Sequence, residues 1–276
     1  IALIFTTAMP ARVLRGRLFS PARGRSATVD RVLHDEGGAG RPIVLLHGLM
    51  GSSRTWSRHV SWLRGHGHVY TFDAAGHGRP IDGDPTTELF VADLSAALDG
   101  IDEPLTVIGH SMGALHAWCF AAAHPGRVRA LVLEDMAPDF RGRTANDWAA
   151  MVSAWPQPFP TEASVLEFFG EVAGRYFLDS FDRRADGWYL HGDVATFRDI
   201  SEEWGTRDFW AQWDAVRAPA LLIEGEFTIT PEGQMRRMLD GHDAQYVWVA
   251  DAGHLVHDDQ PERYRDAVEE FLTSLG

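Results

Sequence analysis

The clearest indication of the fold class is the sequence Leu105-Thr106-Val107-Ile108-Gly109-His110-Ser111-Met112-Gly113. Its first four residues favour a buried strand, and the Ala-rich sequence that follows Gly113 favours a helix. A serine therefore stands where a strand turns sharply into a helix. The glycines two positions before and after Ser111 permit this tight turn and expose the hydroxyl at the carboxyl end of the strand. The flanking strand and helix favour a nucleophile elbow over the alternative, an ordinary Gly-Ser turn.

Short strand-like segments recur along the chain, most of them separated by helix-length intervals. They are Val13–Phe19, Thr28–Leu33, Ile43–Leu46, Val69–Phe72, Leu105–Ile108, Ala130–Leu133, Ala220–Ile223 and Tyr246–Val249. Strands that alternate with helices form a parallel sheet, and unbroken apolar strands are typical of a sheet covered on both faces. The sequence therefore predicts an α/β fold with a mostly parallel central sheet of about eight strands flanked by helices.

The alternation of strands and helices breaks in residues 137–217. This segment holds six of the ten tryptophans, and its apolar residues are spaced three to four apart, as on amphipathic helices. We expect an inserted helical cap here, and a core domain formed by residues 1–136 and 218–276. One interpretation of the aromatic side chains is that they merely attach the cap to the core. As a group they also predict a pocket with apolar walls.

The composition excludes several classes of function. The net charge of −14 disfavours nucleic acid and anionic membranes as partners, since both select a basic surface. All 25 basic residues are arginine, which excludes Schiff-base chemistry, a Ser-Lys dyad and a Walker loop. The apolar N-terminal run is short and lacks a basic leader, so we expect no signal peptide, no transmembrane segment and a cytoplasmic protein.

A serine nucleophile needs a base, and the base needs an acid that orients it. Of the 13 histidines, only His254 follows a late strand in a small-residue turn ahead of a final helix, so it is the predicted base. The loop after the seventh predicted strand, residues 225–231, contains no aspartate. The first choice of acid is therefore Asp135, at the end of the sixth strand, with Glu226 and Glu134 as alternatives; a helix cap is the non-catalytic explanation of Asp135.

Two backbone amides are predicted to form an oxyanion hole. Met112, next to the serine, supplies one amide, and Leu49, in the Gly-rich loop after the third predicted strand, supplies the other. An ordinary Gly-rich turn is the alternative for the Leu49 loop.

The remaining histidines do not predict a metal centre. His66 and His68 form the most suggestive pair, but no third ligand follows at a suitable spacing. His77 and His257 lie near the expected site, where we expect them to form local hydrogen bonds. We therefore expect neither a metal nor a cofactor.

Five motifs in order resemble the α/β-hydrolase superfamily. They are His47–Ser52, Asp73–Gly78, Gly109–Gly113, Glu134–Pro138 and Gly253–His257. From about Arg41 onward the chain is most similar to the YbfF-type and ABHD-type serine esterases. In that group the acid follows the sixth strand and the seventh strand carries no aspartate, so the resemblance supports Asp135. The chain departs from the group at Ala74-Ala75 and in the acidic, threonine-containing loop Glu226–Thr230.

These features predict a serine carboxylesterase that hydrolyses short- to medium-chain esters through a Ser-His-Asp triad and an acyl-enzyme. The expected partner is a small ester with an apolar acyl or aromatic part, and activity should fall as His254 protonates near pH 6.5. The alternatives are hydrolysis of a C–C bond, a lactone or a thioester by the same triad, or a non-catalytic binding protein of this fold. A serine nucleophile argues against dehalogenase and epoxide-hydrolase chemistry, which uses an aspartate at this position.

Overall fold

The computed structural model describes residues 32–143 and 146–276. Its strands are β1 (Leu33–Gly37), β2 (Pro42–Leu46), β3 (His68–Phe72), β4 (Leu105–His110), β5 (Val128–Glu134), β6 (Asp182–Arg184), β7 (Gly187–Tyr189), β8 (Ala220–Gly225) and β9 (Ala244–Val249). Seven of them form the main sheet in the order β1-β3-β2-β4-β5-β8-β9. Only β1 pairs antiparallel to its neighbour; the other pairs in this sheet are parallel.

The mostly parallel sheet predicted from the sequence is confirmed. Each predicted strand from Ile43 onward lies within an observed strand. The first predicted strand, Val13–Phe19, lies outside the described residues, and the second, Thr28–Leu33, overlaps them only where β1 begins. Every residue of β2 and β4 is buried, as expected for strands covered on both faces.

Helices cover both faces of the sheet. They are α1 (Ser57–Leu63), α2 (Thr87–Ala97), α3 (Met112–Ala123), α4 (Asn146–Ser153), α5 (Glu162–Phe169), α6 (Glu171–Ser180), α7 (Val194–Thr206), α8 (Trp210–Ala215), α9 (Gln234–Arg237), α10 (Val256–Asp259) and α11 (Pro261–Ser274), with a 3₁₀ helix at Ser53–Trp56. Alternate strand residues face opposite layers. Val44 and Leu46 join the hydrophobic cluster of α2, α3 and α8, whereas Ile43 and Leu45 join that of α1 and α11.

The segment between β5 and β8 contains helices α4 to α8, but it is not wholly helical. Strands β6 and β7 pair as an antiparallel hairpin, which the expectation of a helical cap does not include. An Asp-Gly pair at Asp186-Gly187 is a hairpin signal, and Gly187 has a φ of 147° that favours glycine. The boundary between a core and a cap at residues 137–217 stays a prediction.

Aromatic side chains in this segment pack on one another. The ring centroids of Phe169 lie 4.4 Å from those of Phe177 and 4.7 Å from those of Trp155. Trp213 instead contacts the residue that follows α9, since its indole N–H donates to the Met238 carbonyl over 3.0 Å. The Trp213 contact agrees with the attaching role, and the pocket with apolar walls stays a prediction.

The parallel sheet gathers the predicted site residues at one edge. In a parallel sheet the carboxyl ends of the strands meet at the same edge, and ligands bind there. The loops that follow β2, β4, β5, β8 and β9 carry the residues singled out above. Among the described residues, no helix combines the length and the apolar character needed to cross a bilayer.

Candidate active site

The turn between β4 and α3 holds Ser111 in a strained backbone conformation. Its φ of 53° and ψ of −120° lie in a region that side-chain-bearing residues rarely adopt. A Cβ on Gly109 would lie 2.4 Å from the Gly113 carbonyl oxygen, and one on Gly113 would lie 2.3 Å from the Leu46 carbonyl oxygen. Both flanking glycines are therefore required by backbone contacts, as the motif predicts.

Three predicted residues form one hydrogen-bonded chain. The Ser111 hydroxyl donates to His254 Nε2 over 2.9 Å, and His254 Nδ1–H donates to Asp135 Oδ2 over 2.7 Å. Asp135 is completely buried, and the serine and histidine are 6% and 7% exposed. The geometry supplies a hydroxyl nucleophile, a base within reach of its proton, and a carboxylate that selects the tautomer of the base.

The loop after β8 supports Asp135. The Gly225 amide donates to Asp135 Oδ1 over 3.2 Å, and the Ile229 amide lies 3.5 Å from Oδ2. The Thr230 hydroxyl donates to the buried Glu224 carboxylate over 2.8 Å and thereby braces this loop. The loop that lacks an aspartate thus supplies donors to the aspartate on the neighbouring strand.

Burial governs the charge of the Asp135–His254 pair. It raises the pKa of Asp135 to about 7, against hydrogen bonds from Thr228 and Gly225 that favour the carboxylate. It also lowers the pKa of His254 well below its usual 6.5. Because the two groups share a hydrogen bond, they take up protons as a pair. We therefore expect the pH dependence of activity to follow the protonation of the pair, and not a midpoint near pH 6.5 for His254 alone.

The two alternative acids lie elsewhere. Glu226 is exposed, and its Oε2 accepts from the Asp251 amide over 2.9 Å. Glu134 is buried and accepts from His257, both from the backbone amide over 3.0 Å and from Nδ1–H over 2.7 Å. Burial lowers the pKa of His257, but Glu134 and Asp258 outweigh it and raise the pKa overall. Among the three candidate acids, only Asp135 hydrogen-bonds to His254.

The loop after β2 lies against the elbow. A Cβ on Gly48 would lie only 3.3 Å from the Ser111 Cβ. The Met50 amide donates to His77 Nε2 over 3.2 Å, so it is already occupied. The amides of Leu49 and Met112 donate to no acceptor among residues 32–143 and 146–276. Both predicted oxyanion donors are therefore available.

Burial keeps His77 neutral by lowering its pKa well below 6.5, so its Nε2 can accept the Met50 amide. Its Nδ1–H donates to the Ala75 carbonyl over 3.2 Å. This confirms a local hydrogen-bonding role. His66 and His68 bind different acids, Glu269 over 3.1 Å and Asp35 over 2.7 Å, so they do not converge on one point.

Two supports of the site were not identified from the sequence. His110 Nε2–H donates to the His254 carbonyl over 2.9 Å and positions the loop of the base. The Ser180 hydroxyl, at the end of α6, donates to the Met50 carbonyl, and Arg54 donates to the Ser180 carbonyl over 2.6 Å. His110 stands inside the elbow motif, which is a usable signal. No sequence pattern indicates Ser180, because its contact joins distant parts of the chain.

Residues 43–267 match the model of the alpha/beta hydrolase family, so the chain belongs to that family. This confirms the superfamily that the five motifs resemble.

Two relatives span most of the chain. One, from Bacillus subtilis (strain 168), is assigned provisionally as a 2-succinyl-6-hydroxy-2,4-cyclohexadiene-1-carboxylate synthase; it is 28% identical, over 87% of this chain and 94% of its own. The other, the sn-1-specific diacylglycerol lipase ABHD11 of Mus musculus, is 30% identical, over 83% of this chain and 80% of its own. The activities of these relatives differ, so family membership does not select one reaction.

The solved structure of E-2-(acetamidomethylene)succinate hydrolase is also similar. It superposes with a TM-score of 0.76 at 20% identity, over 87% of this chain and 94% of that one. At this identity the likeness shows a common fold and does not indicate a substrate.

Proposed function

We propose that this protein is a serine carboxylesterase that hydrolyses short- to medium-chain carboxylic esters. The observation that supports the proposal most strongly is the continuous chain from the Ser111 hydroxyl through His254 to Asp135, at 2.9 and 2.7 Å. The mouse relative, a diacylglycerol lipase, shows that ester substrates occur within the family. Retention of all three groups disfavours the non-catalytic alternative.

In the proposed acylation step, Ser111 Oγ attacks the ester carbonyl carbon while His254 Nε2 takes its proton. Asp135 holds the imidazole in the tautomer that carries its proton on Nδ1. The amides of Leu49 and Met112 then stabilise the negative charge that develops on the carbonyl oxygen. His254 returns the proton to the leaving alcohol, and the acyl group stays on the serine.

Deacylation repeats the same steps with water as the nucleophile. His254 removes a proton from water, the oxyanion forms again between the two amides, and the acid is released as Ser111 recovers its proton. No resident cofactor is required by these steps. The expected partner is a small ester with an apolar acyl or aromatic part, and neither nucleic acid nor a membrane is an expected partner.

We infer that residues 137–217 act as a cap over a core of residues 1–136 and 218–276. The contact between Ser180 and the Met50 carbonyl supports this role, because it joins the segment to the loop of a proposed oxyanion donor. Aromatic side chains of the segment, such as Trp155 and Phe169, favour apolar acyl groups.

A fluorophosphonate probe tests the nucleophile. The wild-type protein should gain one adduct, located at Ser111 by peptide mass spectrometry, because such probes react where a base and an oxyanion hole are assembled. The variant Ser111→Ala should gain none. Full labelling of that variant at another serine would overturn the assignment.

A substrate panel tests the reaction class. Esters with acyl chains of roughly two to eight carbons should be cleaved faster than those of about sixteen, as expected of an enclosed pocket. Anionic esters should be poor substrates because the net charge is −14. Thioesters, lactones and a C–C diketone belong in the same panel. A higher kcat/KM for one of them, or for long-chain lipid, would replace the ester proposal.

A further inference from the structure

Three buried polar atoms without hydrogen-bond partners lie together outside the proposed catalytic chain. They are His59 Nε2 on α1, and His257 Nε2 and Asp258 Oδ2 on α10. The side chains of these residues are only 3%, 1% and 4% exposed. A buried polar atom without a partner is costly, so a cluster of such atoms calls for a bound group.

The separations between these side chains suit a metal ion. His59 Nε2 lies 3.8 Å from Asp258 Oδ1, and His257 Nε2 lies 3.7 Å from Asp258 Oδ2. One ligand atom from each residue can be chosen so that all lie within 4.8 Å of one another. Ligands in a tetrahedral site with bonds of about 2.0–2.1 Å lie roughly 3.3 Å apart. Separations of 3.7–3.8 Å need to contract by about half an ångström, and those near the 4.8 Å limit by about 1.5 Å, before the three side chains can surround an ion.

Glu134 prepares one of the ligands. It accepts the Nδ1–H of His257 at 2.7 and 2.9 Å, which places the proton on that nitrogen and turns the lone pair of Nε2 toward the cluster. Metal-binding histidines commonly donate their second N–H to a carboxylate in this way. The negative charges of Glu134 and Asp258 also favour a cation.

We propose that His59, His257 and Asp258 form a binding site for a divalent transition-metal ion with the ligand preference of Zn²⁺. Two imidazole nitrogens and one carboxylate oxygen are donors that suit Zn²⁺. The ion would tie α1 to α10, the helix that directly follows the loop of His254. Its role would be structural, and the proposal is independent of the reaction at Ser111.

The surroundings of the cluster allow a metal ion to enter and a fourth ligand to bind it. A cavity of about 440 Å³ is lined by His59, His257 and Asp258 among others and leaves room for water on the ion. Arg58 donates to Asp258 Oδ1 over 2.8 Å, and Oδ2 is left available. Ligation would place the His59 proton on Nδ1, so the long 3.4 Å bond from the Trp62 indole must open.

Zinc titration of untagged, chelator-treated protein tests the site. Competition with a chromogenic chelator should show one equivalent bound with a micromolar or lower Kd, and Zn²⁺ should raise the melting temperature. His59→Gln and Asp258→Asn should each weaken binding at least tenfold. Glu134→Gln should weaken it about 10- to 100-fold, because it removes the carboxylate behind a ligand.

His66→Gln is the matched control, since that histidine binds Glu269 away from the cluster, and it should leave zinc binding unchanged. Ser111→Ala should also bind normally. If a ligand variant fails to fold, Co²⁺ added to the wild-type protein provides a second test of the site. A four-coordinate Co²⁺ site absorbs visible light strongly, whereas hexa-aqua Co²⁺ does not. Weak or absent zinc binding by the wild type, or equal binding by His59→Gln and Asp258→Asn, would overturn the proposal and leave the cluster to bound water.

Discussion

Two neighbouring carboxylates at the end of β5 each hold a histidine, yet the two pairs face different surroundings. Asp135 binds Nδ1 of His254, whose Nε2 accepts the Ser111 hydroxyl. Glu134 binds Nδ1 of His257, whose Nε2 has no hydrogen-bond partner among the described residues and lies 3.7 Å from Asp258 Oδ2. Both carboxylates are fully buried. What distinguishes the pairs is therefore the group near the second ring nitrogen: the Ser111 hydroxyl in one pair, and the polar cluster of His59 and Asp258 in the other.

The adjacency of the two pairs follows from strand geometry. Successive side chains along an extended chain point to opposite sides, so Glu134 and Asp135 diverge at the strand end. Asp135 also has a φ of 48°, which turns the chain out of the sheet at this point. The two histidines come from one short stretch, 254–257, and therefore reach both acids at the same time.

The largest expected effect is the loss of turnover on breaking the first pair. Asp135→Asn should lower kcat by about 10⁴-fold, because the amide no longer selects the tautomer of His254 that can accept the serine proton. It should not lower the melting temperature at alkaline pH, since it removes a buried carboxylate whose pKa burial has raised to about 7. Ester kinetics and thermal melts measure both.

Glu226→Gln is the control for this variant. Its carboxylate is exposed and accepts only the Asp251 amide, so the substitution should leave kcat nearly unchanged. A normal Asp135→Asn beside an inactive Glu226→Gln would move the acid to the loop after β8.

Breaking the second pair should affect stability more than turnover. Glu134→Gln removes a charged acceptor of the His257 side chain and should cost about 1.5–3 kcal/mol of unfolding free energy. The kcat of the folded variant should fall less than tenfold, because the triad contacts stay in place. Denaturant unfolding and active-site titration of the same sample separate the two effects. An inactive variant of wild-type stability would reverse the roles assigned to the two pairs.

The smallest expected effect is a pH dependence, in which the stability contribution of Asp135 falls with pH while activity rises. The folded pKa of Asp135, about 7, lies above its ordinary 3.8, so the folded chain holds a proton that the unfolded chain releases. The contribution of Asp135 to stability is therefore greatest at low pH and is lost as pH rises through about 7, whereas His254, whose pKa burial lowers below 6.5, contributes in the opposite direction. Activity should rise over the same interval, because the base works as a neutral imidazole beside a carboxylate.

Both pH dependences can be measured as kcat/KM for a neutral ester and as the melting temperature, across roughly pH 5 to 9. Asp135→Asn should remove the Asp135 part of this dependence and leave the trend from His254, in which stability rises with pH up to about 6.5. A kcat/KM that stays constant from about pH 5 to 8 would show that protonation of this pair does not control the reaction.

The sheet, the elbow and the order of the motifs can be predicted from the sequence, because they depend on short-range patterns. Apolar runs specify strands buried on both faces, and Gly109 and Gly113 are required by backbone contacts within a few ångströms of the turn. The resemblance also pointed to Asp135, whose hydrogen bond to His254 follows from the meeting of parallel strand ends at one edge. The loop 225–231 could be recognised as lacking an aspartate, but not as a source of donors for one.

Charged and polar groups that are far apart in the sequence meet only through the packing of the folded chain. His59 belongs to a helix that is distant in sequence from His257, and Ser180 contacts Met50 although 130 positions separate the two residues. The β6–β7 hairpin likewise interrupts a segment whose spacing predicts helices throughout. Local periodicity reports which face of an element is apolar. The partners of a buried polar atom depend on how the elements pack, and packing brings together residues that share no local pattern.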